Sequence, residues 1–115
     1  MKAAVIAHWT GIVPGREREA FALAREIDAF YGRLVEEGKV DDVSRYLGTE
    51  GPDYWILRGD EEALREIEQL PEAMLITAKA YYLLTDFGSG VYLTGDSAEE
   101  MLGMYEQTAK ELHLV

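Results

Sequence analysis

At 115 residues the chain is long enough for one domain whose core needs neither disulfide nor metal. Hydrophobic residues at 48% and charged residues at 29% exclude a disordered chain, and the absence of cysteine excludes disulfides, thiolate catalysis and cysteine-held zinc or iron–sulfur centres. Eleven basic against 22 acidic residues leave a net charge of -11, a field that repels nucleic acid and anionic lipid. The positive charges are scattered among acids, as in Arg16-Glu17-Arg18-Glu19, so no basic patch offsets it. The apolar run at the N-terminus stops at His8, too short for a signal-peptide core or a membrane span. These features predict a cytoplasmic protein with no nucleic-acid or membrane partner.

Ala3 to Trp9 reads as a first strand. Ala3, Val5, Ala7 and Trp9 point one way and Ala4, Ile6 and His8 the other, so the strand is apolar on both faces and predicts burial of both. A glycine- and proline-punctuated loop, Thr10 to Gly15, leads to a helix over about Arg16 to Glu37. Ala20, Leu23, Ala24, Ile27, Tyr31 and Leu34 form its apolar stripe, and Gly38 ends it. Val40 to Gly48 alternates as a second strand and Asp53 to Arg58 as a third. Asp60 stands as the cap of a short acidic helix with Ala63, Leu64, Ile67 and Leu70 inward. Pro71 breaks that helix and starts a further turn or two through Ala78. Lys79 to Phe87, with its Tyr81-Tyr82 pair, is expected as the fourth strand, and Gly88-Ser89-Gly90 as a turn before a short extended piece, Val91 to Thr94. Ser97 three residues before Glu100 has the capping-box spacing and opens a last helix with the stripe Met101, Leu102, Tyr105, Ala109 and Leu112.

The order β-α-β-β-α-β plus a C-terminal helix predicts a single α+β domain, residues 1–115, of the ferredoxin-like kind, an antiparallel sheet with its helices on one face. The doubly apolar first strand then needs a cover on the other face, and a second copy of the sheet is the expected one.

Through this element order, the "AVIAHWTG" strand and the "YWILRGDEEALREI" strand-to-helix passage, the chain resembles the dimeric α/β-barrel superfamily. It is most similar to a branch near the YciI-like, EthD-like and antibiotic-biosynthesis-monooxygenase families. The resemblance implies a homodimer formed through the sheet face, with a ligand cleft between helices and sheet or inside the barrel. It does not imply one reaction, because the fold hosts many.

Polar and aromatic strand positions are therefore the candidate site. His8 is the sharpest, a side chain that titrates near neutrality at the end of a buried strand, with Asp86 or Tyr82 expected to orient it for proton transfer. A histidine near that strand end also resembles the position some YciI-like members pair with an aspartate. Arg58 is a candidate to hold an anionic group. Trp9, Tyr46, Tyr54 and Tyr82 are candidate pocket walls; Ser44, Arg45, Trp55 and Tyr81 share those strands. Each has a plainer reading, as a satisfied core histidine, an arginine paired to one of many acids, or tyrosines in dimer packing.

His113 has no metal-ligand spacing to His8, Gly88-Ser89-Gly90 is not a nucleotide fingerprint, and no nucleophile elbow supports a His8–Asp86–Ser89 triad. No cofactor and no metal are expected, haem on His8 alone being the weakest alternative. The expected function is a homodimer with a cleft for a compact organic metabolite, doing cofactor-independent monooxygenase, isomerase or lyase-type chemistry with His8 moving the proton. The alternative is a non-catalytic ligand-binding or assembly module.

Overall fold

The computed structural model describes all 115 residues. Eight residues, Lys2–Trp9, form β1, followed by the two-residue β2 (Gly11–Ile12) and helix α1 (Glu17–Glu36). Next come β3 (Asp42–Tyr46), β4 (Asp53–Asp60), α2 (Glu61–Glu68) and α3 (Pro71–Leu83). The short β5 (Leu84–Thr85), then β6 (Gly88–Leu93) and α4 (Asp96–Glu111), complete the chain. The main sheet has the order β3-β4-β1-β6, antiparallel throughout, and β2 pairs with β5 as a separate ribbon. Leaving that ribbon aside, this is the expected ferredoxin-like α+β arrangement with an added C-terminal helix.

The sheet register sorts the strand residues into two faces. Ala3, Val5 and Ala7 of β1 lie beside Trp55 and Leu57 of β4, and these five pack with Leu23, Tyr31, Leu64, Ile76 and Ala80 of the helices as the core. On the opposite face the rows run Tyr46–Tyr54–His8–Gly88, Ser44–Ile56–Ile6–Gly90 and Asp42–Arg58–Ala4–Tyr92. Glycine at Gly88 leaves room for the His8 ring in this position, because a Cβ there would lie 2.6 Å from His8 Nε2 and push the ring aside.

The fourth strand is not where alternation put it. Lys79 to Leu83 continues α3, and the sheet's last strand is the glycine-containing stretch Gly88–Leu93. Two physical facts explain the difference. The apolar set Ala73, Ile76, Ala80 and Leu83 is buried at helical spacing right through the segment, and Lys79 to Leu84 contains no β-branched residue to favour a strand. Pro71 at the first helical position starts this helix instead of limiting it to a turn or two.

Capping also differs. Gly95 precedes α4, Ser97 is buried in the first turn, and neither Ser97 nor Asp60 makes a side-chain cap bond. Asp60 instead lies 3.5 Å from Lys2 Nζ across the β1–β4 pair. Beyond its start on β1, α4 stands off the domain, with Leu102, Met104, Tyr105 and Leu112 exposed. The radius of gyration is accordingly 16.6 Å, against about 13 Å for a compact chain of this length. No helix is long and apolar enough to cross a membrane.

Candidate functional site

Between the helices and the inner face of the sheet lies a cavity of about 510 Å³. Its wall is mostly apolar, with Trp9, Ile27, Trp55, Ile76 and Phe87 among the larger contributors. It exists because α1 and α3 present alanines toward this end of the sheet: Ala20, Ala24 and Ala80 all line it. The β2–β5 ribbon edges the cavity through Gly11, Ile12 and Leu84.

Few polar groups reach this wall, and they are distinct in character. Trp55 is 7% exposed, and its Nε1–H is buried without a hydrogen-bond acceptor. An orphaned buried donor costs about 1–3 kcal/mol, so native structures seldom keep one. Tyr31 stands edge-on to Trp55, ring centroids 4.7 Å apart, and its hydroxyl donates to Glu68 Oε2 at 2.8 Å. Burial pushes the Glu68 carboxyl above its ordinary range, with the Tyr31 hydrogen bond pulling the other way. Burial, then the negative Glu68, pushes the Tyr31 hydroxyl up as well, so it is a donor at any working pH. Arg45 also reaches the wall but is paired with Asp28 at 3.0 Å, and Asp53 Oδ1 accepts from the Gly48 amide at 2.8 Å.

The raised Glu68 carboxyl has a stability consequence. Its folded form holds a proton more tightly than the unfolded chain, so its contribution is complete at acid pH. That contribution is lost as pH rises from the ordinary carboxylate value of 4.5 through the raised one. Glu68→Gln keeps an acceptor for Tyr31 and removes the charge. It is expected to melt a few degrees above wild type at pH 7–8, with the gap closing toward pH 4, in paired thermal melts.

The structure separates the residues that the sequence suggested as one site. Trp9 lines the cavity. His8, Tyr46, Tyr54 and Arg58 share the opposite face of the sheet, where Tyr46 and Tyr54 are 52% and 40% exposed. There Arg58 Nη1 donates to Asp42 at 2.9 Å and to Ser44 at 3.0 Å, which holds its guanidinium charged. Ser44 and Arg58 together lower the Tyr46 hydroxyl.

Asp86 and Tyr82 do not orient His8. Because α3 runs through Leu83, Asp86 falls in the turn before β6, with φ 52°, and accepts from the Thr10 hydroxyl at 2.7 Å. Tyr82 is 81% exposed on the outer side of α3. The His8 ring lies over Gly88 instead. No three His, Asp or Glu side chains converge as a metal site would need.

Tyr31 and Glu68 were not singled out by sequence, although Glu68 had a readable signal. It stands four residues after the fully buried Leu64, an acid placed on the apolar face of α2.

No protein-family model and no curated protein matches the sequence. Solved structures do match. Rv0793 from Mycobacterium tuberculosis superimposes with a TM-score of 0.62 at 24% identity, over 85% of this chain and 99% of that one. SnoaB, a cofactor-independent oxygenase from Streptomyces nogalater, gives 0.62 at 14% identity, over 81% and 92%. A dimeric ferredoxin-like protein of unknown function from Thermobifida fusca gives 0.53 at 15% identity, over 82% and 92%. These likenesses establish the ferredoxin-like fold, and the fold leaves the reaction open.

Proposed function

We propose that this protein is a homodimer that holds a compact, largely apolar organic molecule bearing a hydrogen-bond-accepting oxygen in the cavity between helices and sheet. Cofactor-independent oxygenation is the reaction class in view. The observation that carries the proposal is the Trp55 Nε1–H, a buried donor without an acceptor on a residue that lines an apolar cavity. A carbonyl or phenolic oxygen supplies the missing acceptor, and the apolar wall favours a flat hydrocarbon frame. Nε1 is buried, so contact requires a small shift of the indole as the ligand enters.

Two analogies support the finer reading. SnoaB shares the fold and is a cofactor-independent oxygenase, and the Thermobifida fusca protein shares it and is dimeric. The outer sheet face, with Tyr46, Tyr54 and Tyr92 each 40% or more exposed around Ile6 and Ile56, suits a second copy. A cytoplasmic place of action is part of the same proposal, supported by the absence of cysteine.

The test uses 1-indanone, a compact bicyclic ketone, titrated calorimetrically into wild type and Trp55→Phe. The phenyl ring keeps an aromatic wall, removes the donor and leaves a gap of three ring atoms. Affinity is expected to fall about tenfold, the worth of one hydrogen bond in an enclosed site, with the melting midpoint lowered by a few degrees as the smaller ring leaves a gap beside Tyr31. Equal affinities would remove Trp55 from ligand recognition, and no binding by wild type would overturn the cavity reading.

A further inference from the structure

Glu68 is a largely buried acid whose one protein hydrogen bond comes from a neutral hydroxyl. It ends α2 within the cavity wall, and none of the ion pairs in the chain includes it. Arg65, one turn earlier on the same helix, pairs with Glu61 at 2.9 Å instead. Arg45, the arginine that lines the same cavity, is taken by Asp28. One Glu68 oxygen, Oε2, is held by Tyr31, and Oε1 receives no hydrogen bond from the chain. A carboxylate with no cation partner, anchored by one oxygen and free at the other beside apolar surface, is the arrangement of a desolvated base.

We propose that Glu68 is the general base of the cavity, its Oε1 withdrawing a proton from a bound molecule while Trp55 Nε1–H takes up the negative charge that develops on the molecule's oxygen. The inference rests on the ligand reading above and names the substrate class for that site: compact molecules with an acidic C–H or O–H conjugated to an oxygen. The step is a proton transfer only. The substrate C–H or O–H bond breaks, its electron pair stays on the substrate as an enolate or phenolate, and the proton sits on Glu68 until it returns to water. Tyr31 is the positioning residue, fixing the carboxylate through Oε2. The other charged groups on the wall are Asp53, which accepts from the Gly48 amide, and Arg45, which is paired with Asp28 outside the wall.

The probe is 5-nitrobenzisoxazole, whose ring opens when a base removes its carbon-bound hydrogen. The C–H pair becomes part of the nitrile, the N–O bond breaks, and its electrons leave on oxygen as a coloured cyanonitrophenolate. Wild type is expected to accelerate the opening above buffer, with a rate that rises with pH as Glu68 loses its proton, its midpoint above the ordinary carboxylate range. Glu68→Gln is expected to lose about 100-fold of that acceleration, and Glu68→Asp to recover part of it. Binding of 1-indanone is measured on the same proteins. If wild type and Glu68→Gln both bind indanone but open the probe equally, Glu68 is not the base, and the cavity reading stands. If wild type binds no indanone, the ligand reading itself fails and this inference fails with it.

Discussion

Replacing Leu57 with alanine is expected to destabilise the protein by about 3 kcal/mol and lower its melting midpoint by roughly 10 °C, measured by chemical and thermal unfolding. Leu57 is 0% exposed at the centre of β4, paired with Val5 on one side and Val43 on the other. It belongs to the same buried cluster as Leu64 of α2, also 0% exposed. Truncation removes three buried carbons, and strands bonded on both sides cannot close the gap, so a cavity term adds to the lost transfer energy. A loss under about 1 kcal/mol would mean that the helices collapse onto the sheet freely and that the interior is looser than its burial indicates.

Ile56→Arg is expected to convert the proposed homodimer into monomers of 12.9 kDa, seen as a halving of mass by light scattering with the far-ultraviolet spectrum unchanged. Ile56 pairs with Ile6 and Ser44 at the middle of the outer sheet face. An arginine there points away from the core, so the monomer folds. Against a second sheet it would bury an unpaired charge, at a cost of several kcal/mol, more than an interface of ordinary size can absorb. Binding of 1-indanone should survive in part, because the cavity lies on the other face. A mutant that stays dimeric would move the interface elsewhere, and the exposed apolar stripe of α4 around Leu102 and Tyr105 would be the next surface to alter.

Much of the fold was legible because periodicity reports burial. Strand β1 announced a covered inner face, and Ala3, Val5 and Ala7 are all at 7% exposure or less, while Ile6 and His8 on the outer face are half-buried. The stripe of α1 was read correctly over Ala20, Leu23, Tyr31 and Leu34. The error came where two local signals competed. The aromatic pair Tyr81-Tyr82 looked like a strand, while the alanine and leucine positions around it carried a helix stripe begun at Pro71. Gly88 looked like part of a turn, because what accounts for it is the His8 ring lying over it, a contact between parts of the chain far apart in sequence.

The site followed the same division. His8, Arg58, Tyr46 and Tyr54 were chosen for their chemistry, and the register put all four on the sheet face away from the cavity. Trp55 was named only as sharing a strand with the candidate wall residues, and an indole without an acceptor is a fact about its surroundings. The pairing of Tyr31 with Glu68 links two helices 37 residues apart, which no spacing rule reports.

By itself, then, the sequence determined the class of architecture, the acidic surface and the absence of thiol chemistry. Composition and periodicity are local averages, and those properties depend on local averages. Only the tertiary structure decided which strand closes the sheet, which face each candidate side chain joins, and which buried donor and carboxylate meet at one cavity. Those outcomes depend on strand register and helix packing, where a shift of one residue moves a side chain to the other face of the sheet.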